Sequence, residues 1–248
     1  MIPRRAFTVL AVALSLLTSL PASALTCRDI TFDGHSYTIC ETDPAQEDLR
    51  LFLRDSEGRI LGQFNRVDAA LPDDESLVFA MNAGMFHPDR SPVGYYLENG
   101  HEERRVFTNA GPGNFHLLPN GVFCIGEQTA RVFESRAYLE QRPGCRYATQ
   151  SGPMLVIDGD LHPRFLADSN SQFIRNGVGT TETGDRVVFA ISNDRVTFHQ
   201  FGRLFRDALK LPQALYFDGK VSRLYAPTIG HDNPGLPLGP MVGIVAPR

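Results

Sequence analysis

Long apolar runs are scarce in this chain. After the N-terminal stretch Ala6 to Leu20 no later segment is apolar enough to join it in spanning a bilayer. There is no internal repeat, no low-complexity tract and no Pro- or Gly-rich linker, which argues against solenoids and strings of modules. No basic run occurs either. The chain has no C-x-x-C, no H-x-x-x-H and no Gly-x-Ser-x-Gly, so the sequence predicts no metal, no cofactor and no serine-hydrolase elbow.

What stands at the N-terminus resembles a processing signal: Arg4 and Arg5, an apolar run, then Ala22-Ser23-Ala24. Residues 1–24 are expected to be a signal peptide cleaved after Ala24, leaving 25–248 as one domain, periplasmic or secreted, with no stable membrane insertion. Lipidation at Cys27 is disfavoured by the preceding Ala24-Leu25-Thr26. Removing Arg4 and Arg5 from the 24 basic residues leaves 22 against 28 acidic ones, a formal charge of −6. A net acidic chain without a basic patch is not expected to bind nucleic acid or an anionic membrane. The sequence sets no oligomeric state.

Four cysteines in an exported chain point to disulfides. Asp33-Gly34 is a two-residue hairpin turn, and pairing Phe32 with His35 brings Cys27 opposite Cys40. With alternate pairs hydrogen-bonded, this is a close, non-hydrogen-bonded pair suited to a disulfide. Cys124 and Cys145 then pair by elimination.

Short β-type runs separated by turns dominate: Leu49 to Leu53, Leu77 to Met81, Gly94 to Glu98, Asn114 to Leu118, Met154 to Ile157, Arg186 to Ser192 and Ala214 to Phe217. Helices are few. One starts at Thr197, with Gln200 as capping-box partner and Pro212 as its stop; a short one is expected over Ser135 to Gln141. Strand, helix and strand over Arg186 to Phe217 read as a crossover that leaves Asp218 at a strand's C-terminal edge. The fold class is α+β: a single β-rich domain, mixed sheet, few helices.

Several polar residues stand at strand ends or in glycine-flanked loops. Asp218 follows the apolar run Ala214 to Phe217, and Gly219 lets a ligand approach the backbone. Asn82 follows Leu77 to Met81, where a turn-forming role competes with a site role. Ser151, ahead of Gly152-Pro153, is read as a hydrogen-bond donor to substrate rather than a nucleophile. Arg175 is the candidate for an anion, because a guanidinium fork matches phosphate or carboxylate. His116 alternates with Phe115 and Leu117 on an expected strand facing the site. Glu98, Asp158 and Glu182 are reserve carboxylates beside turn signals.

The ordered motifs Phe79-Ala80-Met81-Asn82-Ala83-Gly84-Met85-Phe86, Ser91-Pro92-Val93-Gly94, Gly111-Pro112-Gly113-Asn114-Phe115-His116, Ser151-Gly152-Pro153-Met154, Arg175-Asn176-Gly177-Val178-Gly179 and Tyr216-Phe217-Asp218-Gly219 resemble the phosphodiester glycosidase family. The resemblance runs from about Leu77 to Pro247. It implies hydrolysis of a sugar-1-phosphodiester at the anomeric carbon, with Asn82, Ser151, Arg175, Asn176 and Asp218 in the pocket. One departure stands beside the acidic motif: Lys220 occupies a position where the family usually has a second glycine.

The chemistry is coherent by itself. Ordinary glycosidases use one carboxyl group to protonate a poor leaving oxygen. A phosphate is a better leaving group, its second pKa being about 6 as a monoester. Asp218 as oxocarbenium stabiliser, nucleophile or base, with Arg175 on the departing phosphate and Asn82 and Ser151 orienting the sugar, then suffices. The expected partner is a carbohydrate or glycosyl phosphate, with envelope or exopolysaccharide material as its setting. Competing readings are a non-catalytic periplasmic glycan- or sugar-phosphate-binding protein, which Lys220 favours, and a phosphodiesterase cleaving P–O.

Overall fold

The computed structural model describes residues 25–232 and 234–248. The expected signal peptide and its cleavage site after Ala24 lie outside the described residues. Strands β1 (Thr26–Phe32) and β2 (His35–Thr42) meet across the Asp33-Gly34 turn, both residues at positive φ. Phe32 faces His35 and Cys27 faces Cys40, and the disulfide joins Cα atoms 4.0 Å apart. The second disulfide, Cys124–Cys145, is also formed.

The chain continues through β3 (Asp48–Phe52), α1 (Phe64–Ala70), β4 (Glu75–Asn82), β5 (Tyr96–Glu98) and β6 (His101–Arg104). Next come β7 (Gly121–Ile125), β8 (Ala130–Glu134), α2 (Ser135–Gln141), β9 (Tyr147–Ser151), β10 (Met154–Ile157) and β11 (Asp160–Leu161). The last part holds β12 (Asn176–Thr180), β13 (Val187–Ser192), α3 (Phe198–Arg203), β14 (Gln213–Asp218), β15 (Leu224–Ala226), β16 (His231–Asp232) and β17 (Met241–Pro247).

Three sheets result, in the orders β1-β2-β13-β12-β14-β10-β11, β16-β15-β4-β17-β3 and β6-β5-β9-β7-β8. Strand alternation explains how they pack. Phe189 and Ile191 of β13, Leu215 and Phe217 of β14, Phe79 and Met81 of β4, and Phe123 of β7 turn to one shared core. The opposite residues of the seven-stranded sheet, among them Val188, Ala190, Ala214 and Tyr216, pack under Phe201, Leu204 and Phe205. Phe64 and Val67 of α1 cover the second sheet, and Tyr138 of α2 covers the third. A β-rich domain with few helices is therefore the observed class.

The crossover over Arg186 to Phe217 is present, with the Thr197–Gln200 capping box at its helix; a π-helical turn, Leu204–Ala208, extends α3. Its two strands run the same way, but β12 lies between them and pairs antiparallel with both. Every ladder among the described residues is antiparallel, which corrects the mixed sheet in that detail. The reason is the Thr181 to Arg186 connection, which folds β12 back onto β13 and fills the edge that β14 would otherwise take.

Candidate active site

Asp218 ends β14 and is 7 % exposed. A bulge aims it: Asn176 faces Asp218 while Gly177 faces Tyr216, so Phe217 is the extra residue. Such a bulge re-directs a side chain at a sheet's end. The carboxylate Oδ1 accepts hydrogen bonds from the backbone N–H of Gly219 (2.6 Å) and Lys220 (3.0 Å). Burial pushes its pKa above the usual aspartate range; those two N–H groups and the Lys220 ammonium oppose the rise. The Ser222 hydroxyl ties the turn down, its one proton within reach of the carbonyls of Asp218 (3.0 Å) and Ile174 (3.1 Å).

Two buried amides hold this strand end to the neighbouring sheet. Asn176 Oδ1 accepts from the Asp218 backbone N–H at 3.0 Å, and Asn176 Nδ2 donates to Asn82 Oδ1. Asn82 Oδ1 also accepts from the Arg223 backbone N–H at 3.0 Å. Both asparagines are fully buried. They brace β4, β12 and β14 around the carboxylate.

The carboxylate opens into a cleft of about 780 Å³. Loops at the ends of the strands supply its walls, including Phe86, Arg90, His116, Phe173, Gly219 and Lys220. The Arg90 guanidinium lies 5.0 Å from the Phe86 ring centroid. Asp218 is the one carboxylate on these walls among the described residues, against the cations Arg90 and Lys220. On an acidic chain, that local balance favours an anionic ligand beside a single carboxylate.

Several expectations are corrected. His116 reaches the cleft from a short 3₁₀ turn, Asn114–His116, with Nδ1 2.9 Å from the Asn109 carbonyl; it is not on a strand. The alternating Phe115-His116-Leu117 pattern serves equally for a turn that buries one ring and exposes its neighbour. Ser151 donates to the Phe217 carbonyl at 2.7 Å and is fully buried, so its proton braces strands instead of meeting substrate. Arg175 is only 1 % exposed and stacks on Phe198, its Cζ 3.6 Å from the ring centroid. It stands behind Tyr216 and Phe173, and the cations on the cleft wall are Arg90 and Lys220. Asn82 and Asn176 form the brace beneath Asp218.

Arg90, Phe86, Phe173 and Tyr216 are cleft residues that sequence reasoning passed over. Tyr216 carried a readable signal, since positions two apart on a strand share a face. Phe86 and Arg90 share the loop after β4 and Phe173 lies on a distant loop, where no strand or helix spacing marks them. The reserve carboxylates lie elsewhere: Glu98 accepts from the Tyr96 hydroxyl (2.5 Å), Asp158 accepts from Gln213, and Glu182 is exposed. Among the described residues no group of three or more His, Cys, Asp or Glu is placed to hold a metal ion. No described helix is long and apolar enough to cross a membrane.

A three-sheet antiparallel domain with one buried carboxylate in a cation-lined cleft is the class that fold and site define. Residues 75–239 match the phosphodiester glycosidase family model, and the chain belongs to that family. An Escherichia coli K12 relative, the uncharacterized protein YigE, is 30 % identical over 215 residues, spanning 86 % of this chain and 83 % of its own. The fold is similar to the catalytic domain of zebrafish N-acetylglucosamine-1-phosphodiester alpha-N-acetylglucosaminidase, auto-inhibited by its pro-peptide. That match has a TM-score of 0.62 at 14 % identity and covers 90 % of this chain and 84 % of the other. A hypothetical protein from Synechocystis matches with a TM-score of 0.52 at 12 % identity, over 90 % of this chain and 62 % of its own. The family supports a glycosidase-type function on a carbohydrate-derived substrate.

Proposed function

We propose that this protein is an exported hydrolase that cleaves the glycosidic C–O bond of a sugar-1-phosphodiester, in envelope or exopolysaccharide material. The observation that carries the reading is the lone cleft carboxylate, Asp218, on the same cleft walls as the cations Arg90 and Lys220. Ionised Asp218 opposes the positive charge that builds at the anomeric carbon. Arg90 and Lys220 hold the phosphate, whose departure needs no general acid. Two disulfides are consistent with an oxidising compartment, periplasmic or secreted.

The test is mass spectrometry of the mature protein with a panel of sugar-1-phosphodiesters, beside Asp218→Asn. Free sugar from wild type alone supports the reading; equal release by Asp218→Asn removes Asp218 from the chemistry. A second reading, a sugar-phosphate-binding protein, is favoured by Lys220, whose charge stands beside the carboxylate. It predicts ligand-induced thermal stabilisation with no sugar released.

A further inference from the structure

Arg175 is a buried cation with neutral hydrogen-bond and ring partners. Its Nε donates to the Val196 carbonyl at 2.8 Å and its Nη2 to the Ser171 carbonyl at 3.0 Å. No carboxylate lies within ion-pair distance among the described residues, and Nη1 is buried without a well-formed hydrogen bond. An uncompensated buried charge destabilises a fold, so its presence here asks for a purpose.

Beyond these carbonyls its guanidinium faces the rings of Phe198, Phe173 and Tyr216. The guanidinium carbon is 5.5 Å from the Tyr216 ring centroid, and its charge opposes the upward push that burial gives the phenol. Phe198, on which Arg175 stacks, also meets the Tyr216 ring edge-on at 4.8 Å and fixes its tilt. The hydroxyl lies against Gly219, where an added Cβ would come within 1.9 Å of that oxygen. The absent side chain is what lets the phenol reach the turn carrying Asp218. Tyr216, Asp218 and Gly219 all line the cleft. Arginine only donates, so when it bonds the phenol oxygen the tyrosine proton is left for another acceptor.

We propose that the Tyr216 hydroxyl is a second catalytic group, donating a hydrogen bond to the phosphate oxygen that leaves the sugar. Arg175 is a positioning residue that holds this hydroxyl as a donor. The inference rests on the glycosyl phosphodiester reading of the cleft. In the step, the C1–O bond breaks and its electron pair stays on the phosphate oxygen, giving a phosphate monoester dianion. The oxygen of water bonds to C1 and its extra proton goes to solvent; Tyr216 keeps its proton. A preorganised donor backed by a buried cation favours the charge that develops on that oxygen.

The test uses paired methyl and 4-nitrophenyl diesters of each sugar 1-phosphate in the panel with wild type, Tyr216→Phe and Arg175→Lys. Tyr216→Phe removes one oxygen and is expected to keep the melting temperature and KM. Its kcat on the methyl diester should fall about 100-fold, as for loss of one preorganised donor. The loss should shrink on the nitrophenyl diester, whose phosphate leaves more readily. Arg175→Lys should show the same dependence on leaving group, to a smaller extent. Unchanged kcat in Tyr216→Phe, or equal losses on both diesters, overturns the catalytic role. Equal losses on both diesters in Arg175→Lys overturn the positioning role. If wild type turns over no diester of the panel, the functional reading falls and takes this inference with it.

Discussion

At the scale of single residues, Asp218 explains most of what the cleft can do. Burial raises its pKa, so the acid limb of kcat/KM should lie above the usual aspartate range. Lys220→Met removes a cation that favours the ionised form. The acid limb should then move further upward, and a downward move in a pH-rate profile would contradict this placement of Lys220. The same shift has a stability consequence. A carboxyl whose folded-state pKa is raised stabilises the fold below its unfolded pKa, and that contribution is lost as pH rises through the folded value. At neutral pH the ionised group is therefore a net burden. Asp218→Asn, whose amide oxygen can still accept from Gly219 and Lys220, should melt no lower than wild type while kcat falls by about 1,000-fold or more. Calorimetry at pH 7 beside the turnover assay checks both.

Elements, rather than residues, decide where these groups point. The bulge at Phe217 aims Asp218, and the phenol of Tyr216 fits only because Gly219 has no side chain. Gly219→Ala should destabilise the protein by about 1–3 kcal/mol, the range of overpacking. In a Tyr216→Phe background most of that loss should vanish, since the added Cβ approaches the phenol oxygen far more closely than its ring carbon, which lies 3.2 Å away. Additive losses in denaturant melts would contradict the contact. Legibility also divides at this scale. The Cys27–Cys40 register follows from one Asp-Gly turn, and the α3 start follows from Thr197 and Gln200; both are local signals that tertiary packing leaves intact. α1 escaped because Gln63, at its start, makes no side-chain cap. Asn114 to Leu118 is not a strand because its apolar alternation equally suits a 3₁₀ turn that seats Phe115 in the core. Arg175 drew attention as an anion holder, and nothing local reveals that Phe198, twenty-three residues later, covers it.

For the whole molecule, three sheets share one core and the cleft gathers loops from across the chain. The carboxylate was legible at the end of an apolar strand. Arg90 was not, because it and Asp218 come together only when β4 and β14 pack around the Asn82–Asn176 brace. Asn176→Ala breaks that brace and should lower stability by about 1–3 kcal/mol, leaving buried partners unsatisfied. The disulfides close loops with sequence separations of 13 and 21. Reducing both should lower the melting temperature, each bridge contributing about 2–4 kcal/mol; an unchanged melt in reductant would contradict their stabilising role. The most direct measurement is turnover of a panel of sugar-1-phosphate methyl diesters in ¹⁸O-water, by wild type and Asp218→Asn, read by mass spectrometry. The account predicts label on the released sugar from wild type and at most a trace from the variant. Label in the phosphate, or equal sugar release by both proteins, would contradict it.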